Sequence, residues 1–181
     1  MITLKLKELN KEIRPIVKEL LEIKNDHAIP RLLKISINMG VGASAVKDKK
    51  QADLAKEELR NIAGQEPVIC YSTKSISNFG LREGMPIGVK VTLRGDKMWQ
   101  FLERLIYIAL PQINDFRGFN KKQFDGHGNF TFGLKEQTMF NEVNFNTNSQ
   151  LRGMDITICT SATNDKAGEV FLTKLNLPFI S

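Results

Sequence analysis

Some segments of this chain have residue types and spacings that could do chemistry. MGVGASA, residues 39–45, sets Gly40, Gly42 and Ala45 as G-x-G-x-x-A between a strand-like run and a helical one. In a βαβ unit such a segment lets backbone amides approach a dinucleotide pyrophosphate, while an acidic residue after the next strand holds the ribose. Here the next strand, PVICY, is followed by Ser72, Thr73 and Lys74, so that carboxylate is missing. A nucleotide-dependent oxidoreductase is therefore the enzymatic competitor and not the main reading. Gly40 and Gly42 are read instead as permitting a tight turn, or a close approach of backbone to a ligand. DGHGN, residues 125–129, juxtaposes Asp125 and His127, but a metal needs several converging ligands and the other histidine, His27, lies in an unrelated segment. A glycine-flanked turn before a strand is the favoured use. Cys70 and Cys159 sit in apolar runs without Cys-x-x-Cys spacing and are expected to be buried, reduced thiols. With no nucleophile motif and no paired acidic motif, the chain reads as a binding protein with no cofactor, no metal and no catalytic residue.

The larger constellation is polar and comes from alternation. In KISINM, Ile35, Ile37 and Met39 oppose Lys34, Ser36 and Asn38; in VKVTLR, Val89, Val91 and Leu93 oppose Lys90, Thr92 and Arg94. In NFTFGL, Phe130, Phe132 and Leu134 oppose Asn129, Thr131 and Gly133; in MDITIC, Met154, Ile156 and Ile158 oppose Asp155 and Thr157. Period-two patterning of this kind gives a sheet with one buried face and one open polar face. Any half-exposed sheet has such a face, so the pattern alone is neutral. The chemistry it offers is more specific. Lys and Arg meet phosphates, while hydroxyl and amide groups reach the 2′-OH and base edges in the wide minor groove of A-form RNA. The face lacks aromatic rings for stacking splayed bases, which favours structured RNA over a single strand. FRGF, residues 116–119, presents Arg117 as a further cation between aromatics that also suit a core.

The elements that must position these groups alternate helix and strand. Leu6, Leu9, Ile13, Ile16, Val17 and Leu20 predict an amphipathic helix over 4–23, kinked or broken at Pro15. A second is predicted over 47–63, with Asp48 and Gln51 as a capping box and Gly64 as its end. A third starts at Asp96 and stops before Pro111, and the last starts at Asn164. The result is an α+β chain of two layers, a largely antiparallel sheet with helices on one face and an open polar face. Residues 72–88, rich in Ser, Gly and basic residues, are expected to form a long protruding loop or hairpin tip. The Asn-rich stretch 141–148 reads as an irregular connection. No repeat or linker divides residues 1–181, so a single domain is expected, with 1–30 as a helical N-terminal extension.

Composition fits. A hydrophobic fraction of 41% and a charged fraction of 25% belong to an ordinary globular chain. Lys and Arg outnumber Asp and Glu by 26 to 20, a net charge of +6 that favours a polyanionic partner. No apolar run reaches the roughly 18 residues of a membrane span, the cations are scattered instead of forming a polybasic block, and no export signal is visible, so membrane binding is not expected.

Ordered motifs along nearly the whole chain carry a resemblance: IPRLLKISINMGVG, then IAGQEPV, then STKSISNFGLREGMPIGVKVTLRGDKMWQFLERLI, then DFRGF, FDGHGNF and GMDITI, and finally LNLPF. On these the chain is similar to the large-subunit ribosomal protein L-five family, which binds 5S ribosomal RNA. The resemblance implies a concave antiparallel sheet with helices behind it. It also implies that Asn38, Gln65 and Thr92 lie at the RNA contact, although Gln65 is not reachable from periodicity. With the sheet-face residues this gives an expected 5S RNA platform of Lys34, Ser36, Asn38, Gly40, Gly42, Gln65, Lys90, Thr92 and Arg94. By the same resemblance the loop 72–88, with Lys74, Ser75, Asn78 and Arg82, faces the peptidyl-site transfer RNA. The implied partners are 5S RNA, 23S-type RNA, that transfer RNA, other large-subunit proteins of the central protuberance and a small-subunit head protein reached through a bridge. The implied location is a bacterial or organellar ribosome.

Overall fold

A computed structural model describes residues 5–45, 48, 50–113, 116–142 and 151–180. Five strands form one open antiparallel sheet in the order β2-β3-β1-β5-β4. They are β1 (Leu32–Gly40), β2 (Val68–Tyr71), β3 (Pro86–Leu93), β4 (Phe130–Leu134) and β5 (Met154–Thr160). The alternation holds residue by residue: Ile35, Ile37, Met39, Val89, Val91, Leu93, Phe130, Phe132, Leu134, Met154, Ile156 and Ile158 are all buried. Enclosing one such side chain contributes about 2–3 kcal/mol, which pins the register of every strand because a one-residue slip would turn that row into water.

The chain divides into two compact units. One comprises Met1–Ile35, Arg94–Phe132 and Thr157–Ser181. In it α1 (Lys5–Leu20) packs on α4 (Gly95–Arg104) and α5 (Asp165–Lys174). α1 runs through Pro15 without the expected break. Pro15 and Lys11, whose carbonyl loses its helical donor, are both exposed, so water can satisfy that group. The helix buries Leu6, Ile13 and Val17 but leaves Ile16 and Leu20 exposed. α4 does not continue as one regular helix toward Pro111. It passes through a π turn, Leu105–Ala109, into a 3₁₀ turn, Leu110–Gln112, where Pro111 occupies a first-turn position that needs no N–H. α5 starts where expected, with the Asn164 side chain accepting the Ala167 N–H at 2.9 Å.

The other unit comprises Ser36–Leu93 and Gly133–Ile156. Here α2, a single turn (Gly42–Ala45), lies against β3, and α3 (Lys50–Ala63) packs over β2 and β3. The predicted start at Lys47 falls outside the described residues. The capping box does not form. Asp48 accepts the Lys50 N–H, while Gln51 turns its carboxamide to Asp48 and to Arg152 instead of closing back on the helix start. Arg152 is the reason, because its guanidinium is buried beside Glu58 and Gln51 supplies its second acceptor at 2.7 Å.

Candidate nucleic-acid interface

In the unit built on α3, the polar side of the alternation stays open. Asn38, Lys90 and Thr92 are exposed and Ser36 is half-buried. β2 pairs antiparallel with β3, Val68 opposite Lys90 and Cys70 opposite Gly88, so Val68 and Cys70 share the outward face with Lys90. α3 ends at Gly64, whose φ of 64° suits the left-handed C-cap that favours glycine. The next residue, Gln65, donates its side-chain amide to the Thr92 carbonyl at 3.0 Å. The helix end therefore delivers Gln65 to the polar row of β3, at the residue the resemblance grouped with it. Gly88 sets the neighbouring geometry: a Cβ there would meet the Met39 carbonyl at 3.1 Å, next to the Asn38 carboxamide. An isolated glycine inside a strand is the sequence signal for such an approach, and it points to Gly88 rather than to the glycines first singled out.

Of the two alternatives for Gly40 and Gly42, the tight turn needs correction. Neither has positive φ, and Gly42 would accommodate a Cβ at ordinary contact distance from the Ile87 carbonyl. No tight turn demands them. A Cβ on Gly40 would meet open space, so what remains for it is an exposed backbone at the end of β1. The dinucleotide reading also loses its frame, because the helix after β1 has only four residues and its strand lies in an antiparallel sheet.

In the other unit, Lys34 is half-buried and Arg94 is exposed. Cys159 is half-buried too, as is Cys70, so neither thiol is enclosed as expected. Both fall on the outward parity of their strands. Burial pushes the Cys159 thiol up, Lys34 and Arg94 pull it down less, and the net shift is upward. DGHGN is a turn. Asp125 accepts the His127 and Asn129 backbone N–H groups at 2.9 and 3.0 Å and the Asn129 side-chain amide at 2.7 Å. Burial raises the Asp125 carboxyl, but these three donors outweigh it and hold it below its usual range. Asp165 in turn accepts from Gly126 and Gly128, and Thr160 donates to the Gly128 carbonyl, so the carboxylates are spent on loop geometry. In FRGF, Phe119 is core and Arg117 exposed. Gly118 (φ 118°) lies flat against Pro178–Ile180, with Phe119 bonded to both sides of Phe179.

Residues 72–85 continue the β2–β3 hairpin. Ser72 exchanges backbone bonds with Met85 and Gly84, and Ile76 and Leu81 bond each other reciprocally at 2.8 and 3.1 Å. The tip is a 3₁₀ turn, Ser77–Phe79, closed by Gly80 in the left-handed region. Lys74, Ser75, Asn78 and Arg82 are all exposed, but the Ser75 hydroxyl is occupied in accepting the Glu83 N–H at 2.9 Å.

Residues 25–82 match the family described as "Ribosomal protein L5", and residues 86–179 match the model of that ribosomal family's C-terminus. The chain belongs to the ribosomal protein L5 family. As an L5 protein it is a constituent of the large ribosomal subunit and binds ribosomal RNA. The first matched segment ends at residue 82 in the hairpin and the second begins at residue 86 with β3, so the L5 signature runs along both strands that flank it. Gln65, which only the resemblance placed at the RNA contact, is out of reach of periodicity because it lies outside every strand. Arg152 was missed for a different reason: a lone arginine just before a strand-like run gives no sign of burial.

Proposed function

We propose that this L5 protein holds 5S ribosomal RNA on its open sheet face and anchors it in the central protuberance, acting by binding and not by catalysis. Lys34, Lys90 and Arg94 supply phosphate contacts, while Ser36, Asn38, Gln65 and Thr92 offer donors and acceptors to the minor groove and its 2′-OH groups. Gly40 contributes bare backbone at the rim, with Gly42 behind it. The observation that carries this reading is the Gln65–Thr92 bond, which joins a residue from outside the sheet to an exposed polar row containing Lys90. The hairpin tip, with Lys74, Asn78 and Arg82, is directed to the peptidyl-site transfer RNA, and Ser75 braces it. Contacts with 23S-type RNA, with other proteins of the protuberance and with a small-subunit head protein complete the partners, in a bacterial or organellar ribosome.

The test is binding to 5S RNA against an equally long structured RNA across a range of salt. Preference for 5S RNA that persists as salt rises supports readout on the sheet face, and Lys90→Ala then lowers the salt slope by about one. Equal affinities that collapse together would leave a basic protein without this specificity.

A further inference from the structure

Phe79 is 74% exposed, the most exposed large apolar side chain among the described residues. Nothing in the local fold requires an aromatic there. The turn is closed by backbone bonds alone, Phe79 N–H to the Ile76 carbonyl and Gly80 N–H to the Ser77 carbonyl, and any residue in the right-handed region would serve. The scaffold beneath it is nevertheless well fixed. Reciprocal Ile76–Leu81 bonds close the hairpin, Ser75 accepts from Glu83 and Ser72 donates to the Lys74 carbonyl at 2.7 Å. An aromatic ring is thus held out in water at the end of a braced ribbon. Lys74 and Arg82, one in each arm of the hairpin, are exposed and make no ion pair among the described residues.

A flat ring at the tip, with an exposed cation in each arm of the same hairpin, is the equipment of a stacking platform for a nucleobase. Every base offers a π face, and neighbouring cations hold the backbone that carries it. We propose that Phe79 stacks on an exposed nucleobase face of the RNA that meets this hairpin, with Lys74 and Arg82 holding adjacent phosphates. The sheet face reads duplex RNA through polar groups and lacks such a ring, so the two surfaces recognise RNA by different physics. This inference rests on the reading of the hairpin as the element facing transfer RNA. Ile76, 42% exposed, widens the apolar surface beside the ring. Glu83 lies on the same ribbon but follows Arg82, with its backbone N–H turned to Ser75.

The experiment uses large subunits reconstituted with Phe79→Ala, Phe79→Leu, Phe79→Tyr or the pair Lys74→Ala/Arg82→Ala, and reads the dissociation rate of peptidyl-site transfer RNA at several salt concentrations. Stacking predicts release about ten-fold faster for Phe79→Ala, nearly as fast for Phe79→Leu, and near the original rate for Phe79→Tyr, with little salt dependence. The cation pair should release faster at low salt and approach the parent at high salt. If Phe79→Leu behaves like the parent, or a photo-crosslinker at position 79 captures protein and not RNA, stacking is wrong. If the cation pair accelerates release and Phe79→Ala does not, the hairpin faces transfer RNA but the ring does not stack. If neither variant changes release, the reading of the hairpin falls and the stacking proposal with it.

Discussion

The side-chain amide of Gln65 is bonded to the backbone carbonyl of Thr92 at 3.0 Å, which ties the residue after the α3 cap to the exposed row of β3. Because the acceptor is main chain, Thr92→Ala keeps this bond and removes only the outward hydroxyl. Thr92→Ala is therefore expected to weaken 5S RNA binding several-fold with an unchanged denaturation midpoint. Gln65→Ala should weaken binding and also cost about 1 kcal/mol of stability. Titration calorimetry and urea melts on both variants check this; wild-type affinity in both would remove them from the interface.

Buried charge makes the second prediction. Arg152 and Glu58 are each about 95% or more enclosed, and Gln51 and Gln137 accept further bonds from Arg152. Arg152→Leu leaves the Glu58 carboxylate enclosed and unpaired, at a cost of about 3–5 kcal/mol. Adding Glu58→Met removes the stranded charge and should recover much of the loss. A double variant as unstable as the single one in chemical denaturation would show that the pair acts through something other than charge compensation.

Acid sensitivity has a defined sign. Asp125 is held below its usual range, burial being outweighed by the Asn129 and His127 donors, and Asp26 and Glu66 are lowered by hydrogen bonds from Lys18 and Lys56. A carboxyl with a depressed folded-state pKa adds stability above its unfolded value, and that stability is lost as pH falls through the folded one. Melting temperature should thus drop below about pH 4. Asp125→Asn, which retains one turn acceptor but cannot titrate, should lower stability at pH 7 and flatten the acid decline. An unaltered profile would exclude Asp125 as a contributor.

Cys159 offers a reporter on the sheet face. Burial raises its pKa despite Lys34 and Arg94, so alkylation at pH 8 should be slower than for free cysteine. If Lys34 and Arg94 bind phosphate, saturating 5S RNA should slow it further by shielding the strand. Mass spectrometry of alkylated peptides measures this directly. A rate insensitive to RNA would take that side of the sheet out of the contact.

Strands were the legible part of this molecule, because a period of two is short and each of β1, β3, β4 and β5 carries at least three inward apolar residues. Helix ends were readable where a single cap decides them, as at Asn164 and Gly64. Ile16 and Leu20 show the limit: helical spacing marks an apolar stripe but not how far the neighbouring layer reaches along it. For the interface, alternation yielded Asn38, Lys90 and Thr92, whereas Gln65 depends on where a helix stops relative to a strand 27 residues later. The tight turn expected at Gly40 and Gly42 failed for the same reason, since what a glycine permits is settled by neighbours distant in sequence, as Gly88 demonstrates against Met39. The cysteines sat in apolar runs, yet strand parity, not local hydrophobicity, decides which side a residue faces.

The clasp between Phe119 and the segment 178–180 also bears on the order in which the protein can be made. Phe119 bonds both sides of Phe179, and Gly118 is shaped to lie against it. The Phe119 ring also meets Phe116 and Phe130 edge-on and Phe132 at a tilt, while Phe179 stacks on Phe124 and meets Phe130 edge-on. During synthesis the side of this cluster that Phe179 covers stays open until residues 178–180 have left the exit tunnel. A nascent chain stalled before that point would leave Phe119 and Phe130 without the segment that packs on them, an interval in which a chaperone has something to protect.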